Sequence, residues 1–257
     1  MEKSSYLEVA IAAAKKAEEA VMDYYLNQDG YGMKDDRSVV TKADKDAEEI
    51  IKQTILSQFP DHGFLGEEGG AINQSSAYTW VIDPIDGTRN FTRKIPLFSI
   101  LIALMKGDEL VVGVSNACAR GELLYAEKGK GAYCGDTRIH VSSISSLDQA
   151  MTSYGGLDHF DDDGYADSII RLSHLVSREG ARGIGNIYSY HLLAMGNIDI
   201  MVETSNKLWD IAAPALIVQE AGGTVTDIRG EPISLNSVGV IATNGLLHNE
   251  VLTLFTK

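Results

Sequence analysis

A layered α/β fold is expected for this chain of 257 residues, on three grounds. Two stretches with helical periodicity come first. A set of short apolar runs with strand character follows. Helix and strand patterns then alternate to the end. Length allows one large domain or two small ones, at about 100–200 residues each. A chain of this size hides roughly 70–75% of its unfolded surface, so a real core can form. Hydrophobic residues make up 44% of the chain and charged residues 23%, the balance of a globular protein.

In the first segment Leu7, Ala10, Ile11, Ala14, Ala17, Val21 and Tyr24 recur at spacings of three and four, and Ser5 with Glu8 fits a capping box. Gly30 and Gly32 break the pattern. A second helix is predicted from Asp44 to about Ser57, with Ala47, Ile50, Ile51 and Ile55 on one face and Pro60 ending it. Tyr78–Ile82, Ser99–Leu104, Leu110–Ser115 and Leu123–Ala126 read as strands separated by Gly, Asp and Lys turns. Further helices are predicted over Tyr165–Val176, Asn186–Met195, Asp210–Ala221 and Leu246–Phe255. Further strands are predicted over Met151–Tyr154, Ile198–Val202, Gly223–Thr226 and Val238–Ala242. No Pro/Ser-rich linker, internal repeat or low-complexity tract divides the chain. A single domain over 1–257 is expected, with subdomains of about 1–142 and 143–257 meeting at the polar cluster Ser142–Ser146.

The formal net charge is −14, from 22 Lys+Arg against 36 Asp+Glu. That balance argues against nucleic acid and anionic membranes as partners, since both attract basic patches. Cys118 and Cys134 are too few for a disulfide framework. The longest apolar-rich run, Ile95–Met105, is short of the ~20 residues needed to span a bilayer. Met1–Ser5 shows no basic region followed by an apolar stretch, so no signal peptide is expected. These features predict a soluble cytoplasmic protein.

The stretch richest in chemistry is Trp80-Val81-Ile82-Asp83-Pro84-Ile85-Asp86-Gly87-Thr88-Arg89-Asn90-Phe91. An apolar strand runs into two carboxylates three residues apart. Pro84 holds the turn and stops strand pairing. Gly87-Thr88 follows as a helix start. The acids suit a hard cation bound through oxygen, and the N–H groups after Asp86 suit a phosphate. A turn capped by Asp86 would explain that residue alone, but not the whole arrangement. Gly66-Glu67-Glu68-Gly69-Gly70 adds paired acids on a glycine-flanked loop. Trp209-Asp210-Ile211-Ala212-Ala213-Pro214 places an acid at the entrance of an apolar helix, and Val40-Thr41-Lys42-Ala43-Asp44 another. Alone, the first is a solvated turn and the second an N-cap.

Together these residues resemble the inositol monophosphatase family. The motifs are Val40-Thr41-x-x-Asp44, Gly66-Glu67-Glu68, Asp83 to Phe91, Trp209 to Ala213, Glu220-Ala221-Gly222-Gly223 and Ala242-Thr243-Asn244-Gly245, in family order. The resemblance implies a five-layered αβαβα sandwich and Mg²⁺-dependent hydrolysis of a small phosphomonoester, with two or three ions. It implies that Glu67, Asp83 and the Ile85 carbonyl hold one ion and that Asp83, Asp86 and Asp210 hold a second. Glu67 would help hold a third through water. Asp44 and Thr88 would orient and deprotonate the attacking water, and the N–H groups of Gly87 and Thr88 would carry the phosphate. Substrate contacts would come from the segment Arg182 to Asn186 and from Glu203. A homodimer is expected on the same ground. The chemistry agrees, since phosphoryl transfer needs positioning and charge neutralisation more than covalent help.

The substrate stays open between inositol 1-phosphate and histidinol phosphate. Arg89 stands where a second Thr is common in inositol phosphatases. Leu101-Ile102-Ala103-Leu104, Tyr190-His191-Leu192-Leu193-Ala194 and Asp199-Ile200 are similar to the histidinol-phosphate branch, which often has Asp in place of Asn186. A fructose 1,6-bisphosphate or nucleotide 3'-phosphate substrate would ask for extra cations, for which Arg89, Arg93, Lys94 and Arg182 are candidates. A non-catalytic regulatory protein of the same fold would be favoured by a lost acid, and none is lost. Asp161-Asp162-Asp163-Gly164 fails as a calcium loop, because His159 and Ile170 fall at its first and twelfth positions. Gly183-x-Gly185 lacks the third glycine of a dinucleotide fingerprint. The histidines show no pair at metal-ligand spacing and read as filler.

Overall fold

The computed structural model describes residues 3–27, 32–33, 39–234, 237 and 239–256, with backbone alone at 32–33 and 39–40. Helices α1 (Ser5–Asn27) and α2 (Lys42–Leu56) flank the short antiparallel pair β1 (Gly32–Met33) and β2 (Val39–Val40). Strands β3 (Gly63–Gly66), β4 (Gly70–Ile72) and β5 (Tyr78–Asp86) follow, then the short helix α3 (Thr88–Thr92). Next come β6 (Ser99–Lys106), β7 (Glu109–Ala117), β8 (Glu122–Glu127), β9 (Ala132–Cys134) and β10 (Thr137–Ile139). The chain continues through β11 (Thr152–Tyr154), α4 (Leu157–Asp162), α5 (Ala166–Leu175), β12 (Ala181–Arg182) and α6 (Asn186–Ala194). It closes with β13 (Ile200–Thr204), α7 (Leu208–Glu220), β14 (Thr224–Asp227), β15 (Gly239–Thr243) and α8 (His248–Phe255).

Among the described residues, eight strands form one sheet in the order β10-β9-β8-β7-β6-β5-β3-β4 and five form another in the order β12-β11-β13-β15-β14. Helices α1 and α2 cover the outer face of the larger sheet, and α6 and α7 lie between the sheets. Helices α5 and α8 cover the outer face of the smaller one. The result is the five-layered αβαβα sandwich.

Side-chain alternation explains why the strands read as continuous apolar runs. On β6, Ile100, Ile102 and Leu104 pack toward α1 and α2, while Leu101, Ala103 and Met105 pack toward α7. A sheet covered on both faces needs apolar residues at both parities. In β13, Met201 faces the central helices and Ile200 and Val202 face the outer layer. Small residues let α7 approach the larger sheet closely. A Cβ on Gly113 of β7 would lie 2.7 Å from the Ala213 carbonyl oxygen.

Several expected boundaries shift. The cap of α1 is Ser4, whose Oγ accepts the Leu7 N–H at 3.3 Å, so the helix starts at Ser5 and the Ser5–Glu8 box does not form. Helix α2 begins earlier than expected, with Thr41 as N-cap and Asp44 closing the capping box. Helix α7 likewise starts at Leu208 after Lys207, with Asp210 in its first turn rather than at the cap. Strand β5 does not end at Pro84; pairing with β6 resumes at Asp86↔Ser99 after a bulge. Asp161 and Asp162 lie in α4 and not in a loop. Gly30 and Val238 lie outside the described residues.

Candidate active site

The site begins where β5 fails to remain regular. Residues three apart on a strand point to opposite faces. Pro84 has no N–H to donate, and the register between β5 and β6 shifts between Asp83 and Asp86. That bulge brings both carboxylates into one cleft. Asp83 is buried, and its Oδ1 accepts the Ile85 N–H at 2.9 Å, which locks the turn. Gly87 then takes φ 85°, a left-handed conformation that glycine adopts without strain, and α3 starts at Thr88.

From the central layer, Asp210 in the first turn of α7 meets the pair. One carboxylate oxygen each from Asp83, Asp86 and Asp210 lies within 4.8 Å of the others. Asp210 Oδ2 accepts the Lys207 N–H at 2.7 Å, and Asp86 Oδ2 accepts the Ile187 N–H at 2.8 Å. Each acid is thus oriented by a helix N-terminus of the middle layer. Glu67 lines the same cavity from the turn between β3 and β4.

Asp44 stands behind this group and is buried. Its Oδ2 accepts from the Thr41 hydroxyl at 2.6 Å and the Thr41 N–H at 2.8 Å. Its Oδ1 faces the Thr88 hydroxyl at 3.5 Å, and that hydroxyl also reaches the Ile85 carbonyl at 3.0 Å. The Thr88 hydroxyl has one proton and two acceptors, the Ile85 carbonyl being the nearer and Asp44 Oδ1 lying at the outer limit of a hydrogen bond.

The cavity, about 640 Å³, extends from these acids past Gly87, Thr88 and Arg89 to a second wall of Gly156, Asp158, His159, Asn186, Tyr190, Glu203, Ser205 and Asn206. Glu203 is buried at the end of β13. It accepts from the Asn186 N–H at 2.8 Å, the Tyr190 hydroxyl at 3.2 Å and the Asn206 amide at 3.2 Å. Asn186 and Ser205 flank it in the left-handed region, at φ 51° and 61°. Arg182 is not brought to this lining. It is exposed on β12, the edge strand of the smaller sheet, and Gly183 to Gly185 carry the chain from there to the cleft. Arg93 and Lys94 lie outside the lining as well, which leaves Arg89 as its one Lys or Arg among the described residues.

The electrostatics follow from burial of like charges. Desolvation, with repulsion from Glu67 and Asp86, holds the Asp83 carboxyl well above its ordinary value. Burial, then the charge of Glu203, pushes Asp86 up to about 7. Burial, then the charge of Asp86, pushes Asp210 up to about 8. Asp44 rises to about 6 through burial, opposed by its Thr41 hydrogen bonds. Glu203 rises to about 7 through burial, opposed by the Asn186 N–H. Carboxylates crowded this way favour either protons or a bound cation.

Sequence reasoning missed Asp158, His159, Tyr190, Ser205 and Asn206. Tyr190 falls in the predicted helix Asn186–Met195 and in the Tyr190–Ala194 similarity, neither of which assigns it a partner, and its hydroxyl finds Glu203 only once β13 is placed beside α6. His191, read as filler, is buried with Nε2 at 2.6 Å from Ser115 Oγ and Nδ1 at 3.7 Å from Glu122.

Comparison with known proteins agrees with this architecture. Residues 2–257 match the inositol monophosphatase family. A histidinol-phosphatase of Streptomyces coelicolor is 38% identical over 256 residues, covering 96% of this chain and 95% of that protein. A fructose-1,6-bisphosphatase/inositol-1-monophosphatase of Thermotoga maritima is 35% identical over 221 residues, covering 86% and 84%. The crystal structure of the extragenic suppressor protein suhB from Bartonella henselae superposes with a TM-score of 0.92 at 31% identity, covering 99% of each chain. The chain belongs to the inositol monophosphatase family and, with it, to the metal-dependent phosphoric monoester hydrolases.

Proposed function

We propose that the protein hydrolyses a small phosphomonoester with Mg²⁺ and that histidinol phosphate is its preferred substrate. The carrying observation is the pairing of the Asp83, Asp86 and Asp210 cluster with a second cavity wall that bears Glu203 and Asp158. Three oxygens within 4.8 Å, each on a carboxylate whose proton affinity is raised by burial and mutual repulsion, form a donor set that fits hard divalent cations. Asp83, Asp86 and Asp210 would hold one ion, and Glu67, Asp83 and the Ile85 carbonyl another; a third would lean on Glu67. When bound, the ions neutralise the phosphate, lower the pKa of water and stabilise the leaving oxygen.

The chain's own groups supply the rest. With the Ile85 carbonyl engaged by an ion, the Thr88 hydroxyl would donate its hydrogen bond to Asp44 Oδ1, which would turn a lone pair of Thr88 Oγ1 toward the attacking water. Thr41 holds Oδ2 and so fixes the direction of that bond. The Thr88 N–H at the start of α3 would meet the phosphate, and the Gly87 N–H, which donates to the Asp86 carboxylate here, would join it once that carboxylate is engaged by an ion. Glu203, held by Asn186, Tyr190 and Asn206, faces the leaving alcohol together with Asp158. Two acids against one lining cation suit an alcohol that carries an amine. The relatives named histidinol-phosphatase support that choice. Inositol 1-phosphate is the second reading, favoured by the capacity of Glu203 to accept from a hydroxyl. Arg89 alone gives little support to a second phosphate.

We read the chain as one domain, because the central core draws on β6, α6, α7, β13 and β15 together. A cytoplasmic homodimer completes the reading. Cys118 and Cys134 are free thiols, and among the described residues no helix is long and apolar enough to cross a membrane. Rates on histidinol phosphate, inositol 1-phosphate and fructose 1,6-bisphosphate, with Mg²⁺ and with chelator, test the proposal. Faster Mg²⁺-dependent turnover of histidinol phosphate is expected. No turnover of any of them, with no cation bound in calorimetry, sinks it.

A further inference from the structure

We infer that Glu48, which touches neither the cleft nor the reacting atoms, is a positioning residue that clamps the Glu67 turn onto α2. It rests on the assignment of Glu67 as a cation ligand. Glu48 lies four residues after Asp44 on the buried face of α2 and is 4% exposed. A carboxylate buried this deeply needs hydrogen-bond donors. Its donors are main-chain groups of the β3–β4 turn. Oε2 accepts the Glu68 N–H at 2.9 Å, and the Gly69 N–H donates to the same carboxylate.

The glycines on this turn are explained by that clamp. A Cβ on Gly66 would lie 2.5 Å from Glu48 Cδ, and one on Gly69 would lie 2.5 Å from Oε1. Neither of those two takes a left-handed φ, so the approach of the carboxylate is what excludes a side chain. The glycines on both sides of Glu67 and Glu68 therefore leave room for Glu48. From the other side, the Glu67 N–H donates to the Ile82 carbonyl at 3.2 Å, just before Asp83 on β5. Glu67 is thus held between β5 and α2, and α2 itself carries Asp44. One helix face sets both the water-orienting acid and the turn that presents Glu67. Groups that orient a ligand without touching the metal typically matter about 10- to 100-fold in affinity.

Two variants test this from opposite sides. Glu48→Gln removes the charge, and Gly69→Ala leaves Glu48 intact but pushes it off the turn. Hydrogen exchange at residues 66–70 of the metal-free protein reads the clamp, and Mn²⁺ titration calorimetry reads its consequence. Both variants should exchange faster at these amides, and their Mn²⁺ dissociation constants should rise about 10- to 100-fold, with the rate recovered at saturating metal. A lower melting temperature with unchanged Mn²⁺ affinity marks a purely structural residue and overturns the inference. So does unchanged exchange at 66–70. If Glu48→Gln fails to fold, Gly69→Ala decides by the same two readings. An unmodified protein that binds no Mn²⁺ overturns the functional reading and this inference with it. Normal binding that neither variant weakens overturns this inference alone.

Discussion

Asp210 has two opposed effects that a single substitution separates. Its Oδ2 accepts the Lys207 N–H at the start of α7, and its charge faces Asp83 and Asp86. An amide keeps an acceptor for Lys207 but removes the charge. Asp210→Asn should weaken Mg²⁺ binding and cut turnover by orders of magnitude, because the leaving oxygen loses its charge partner. The metal-free protein should melt higher at alkaline pH, because one of three mutually repelling carboxylates is gone. Rates across Mg²⁺ concentration and calorimetric melts in chelator check both halves. Asp44→Asn should behave differently. The amide cannot take a proton, so kcat should fall by about 10²- to 10⁴-fold while metal affinity changes little. Rates at saturating Mg²⁺ beside Mn²⁺ titration distinguish the two classes. The acids were legible in the sequence because each sits in a local motif whose turn chemistry is written within a few residues. Tyr190, Asn206 and Asp158 were not, because only tertiary packing brings them to Glu203 or the cleft, and no spacing along the chain records that.

Element by element, legibility tracked length and period. Strands β5 to β8 have six to nine residues and were recognised, with ends extended by one to four positions. Strands β9, β10 and β12, of two or three residues, carry no run long enough to show an alternation and have no counterpart among the predicted elements, whereas β11, equally short, is found because helix patterns follow it and frame it as a strand. The bulge in β5 was half legible. Pro84 pointed to broken pairing, but its effect on side-chain parity needs the partner strand β6. The contact between β7 and α7 was not legible, since Gly113 reads only as a glycine in a strand. With its Cβ 2.7 Å from the Ala213 carbonyl oxygen, Gly113→Ala must push α7 from the sheet. A loss of about 1–3 kcal/mol is expected, the usual cost of overpacking. Urea unfolding at fixed Mg²⁺ measures it. Because α7 carries Asp210, the apparent Mg²⁺ affinity should fall in the same variant.

For the molecule as a whole, the buried acids and the buried histidines set a pH dependence that the metal should invert. Burial lowers the pKa of His62, His191 and His248, so their contribution to stability is present above about pH 6.5 and lost as pH falls below it. Asp83, Asp86 and Asp210 act oppositely. Their folded-state values are raised, with Asp86 at about 7 and Asp210 at about 8, so the stability from their protons is lost as pH rises through those values. Between about pH 7 and about pH 8 the histidines are neutral whether folded or unfolded and the thiols are still protonated, so the buried acids, Glu203 at about 7 among them, set the slope. In chelator the melting temperature should therefore fall over that interval. Cations bind the deprotonated carboxylates, so their affinity should rise over the same interval. In saturating Mg²⁺ the fall should shrink or reverse, because mass action then stabilises the folded state most at the alkaline end. Differential scanning calorimetry at the two pH values, with chelator and with Mg²⁺, measures both slopes. Parallel slopes in the two conditions would mean that the acid cluster on β5 and α7 does not hold the ion. The cation would then bind elsewhere on a chain whose net charge of −14 offers many weaker sites.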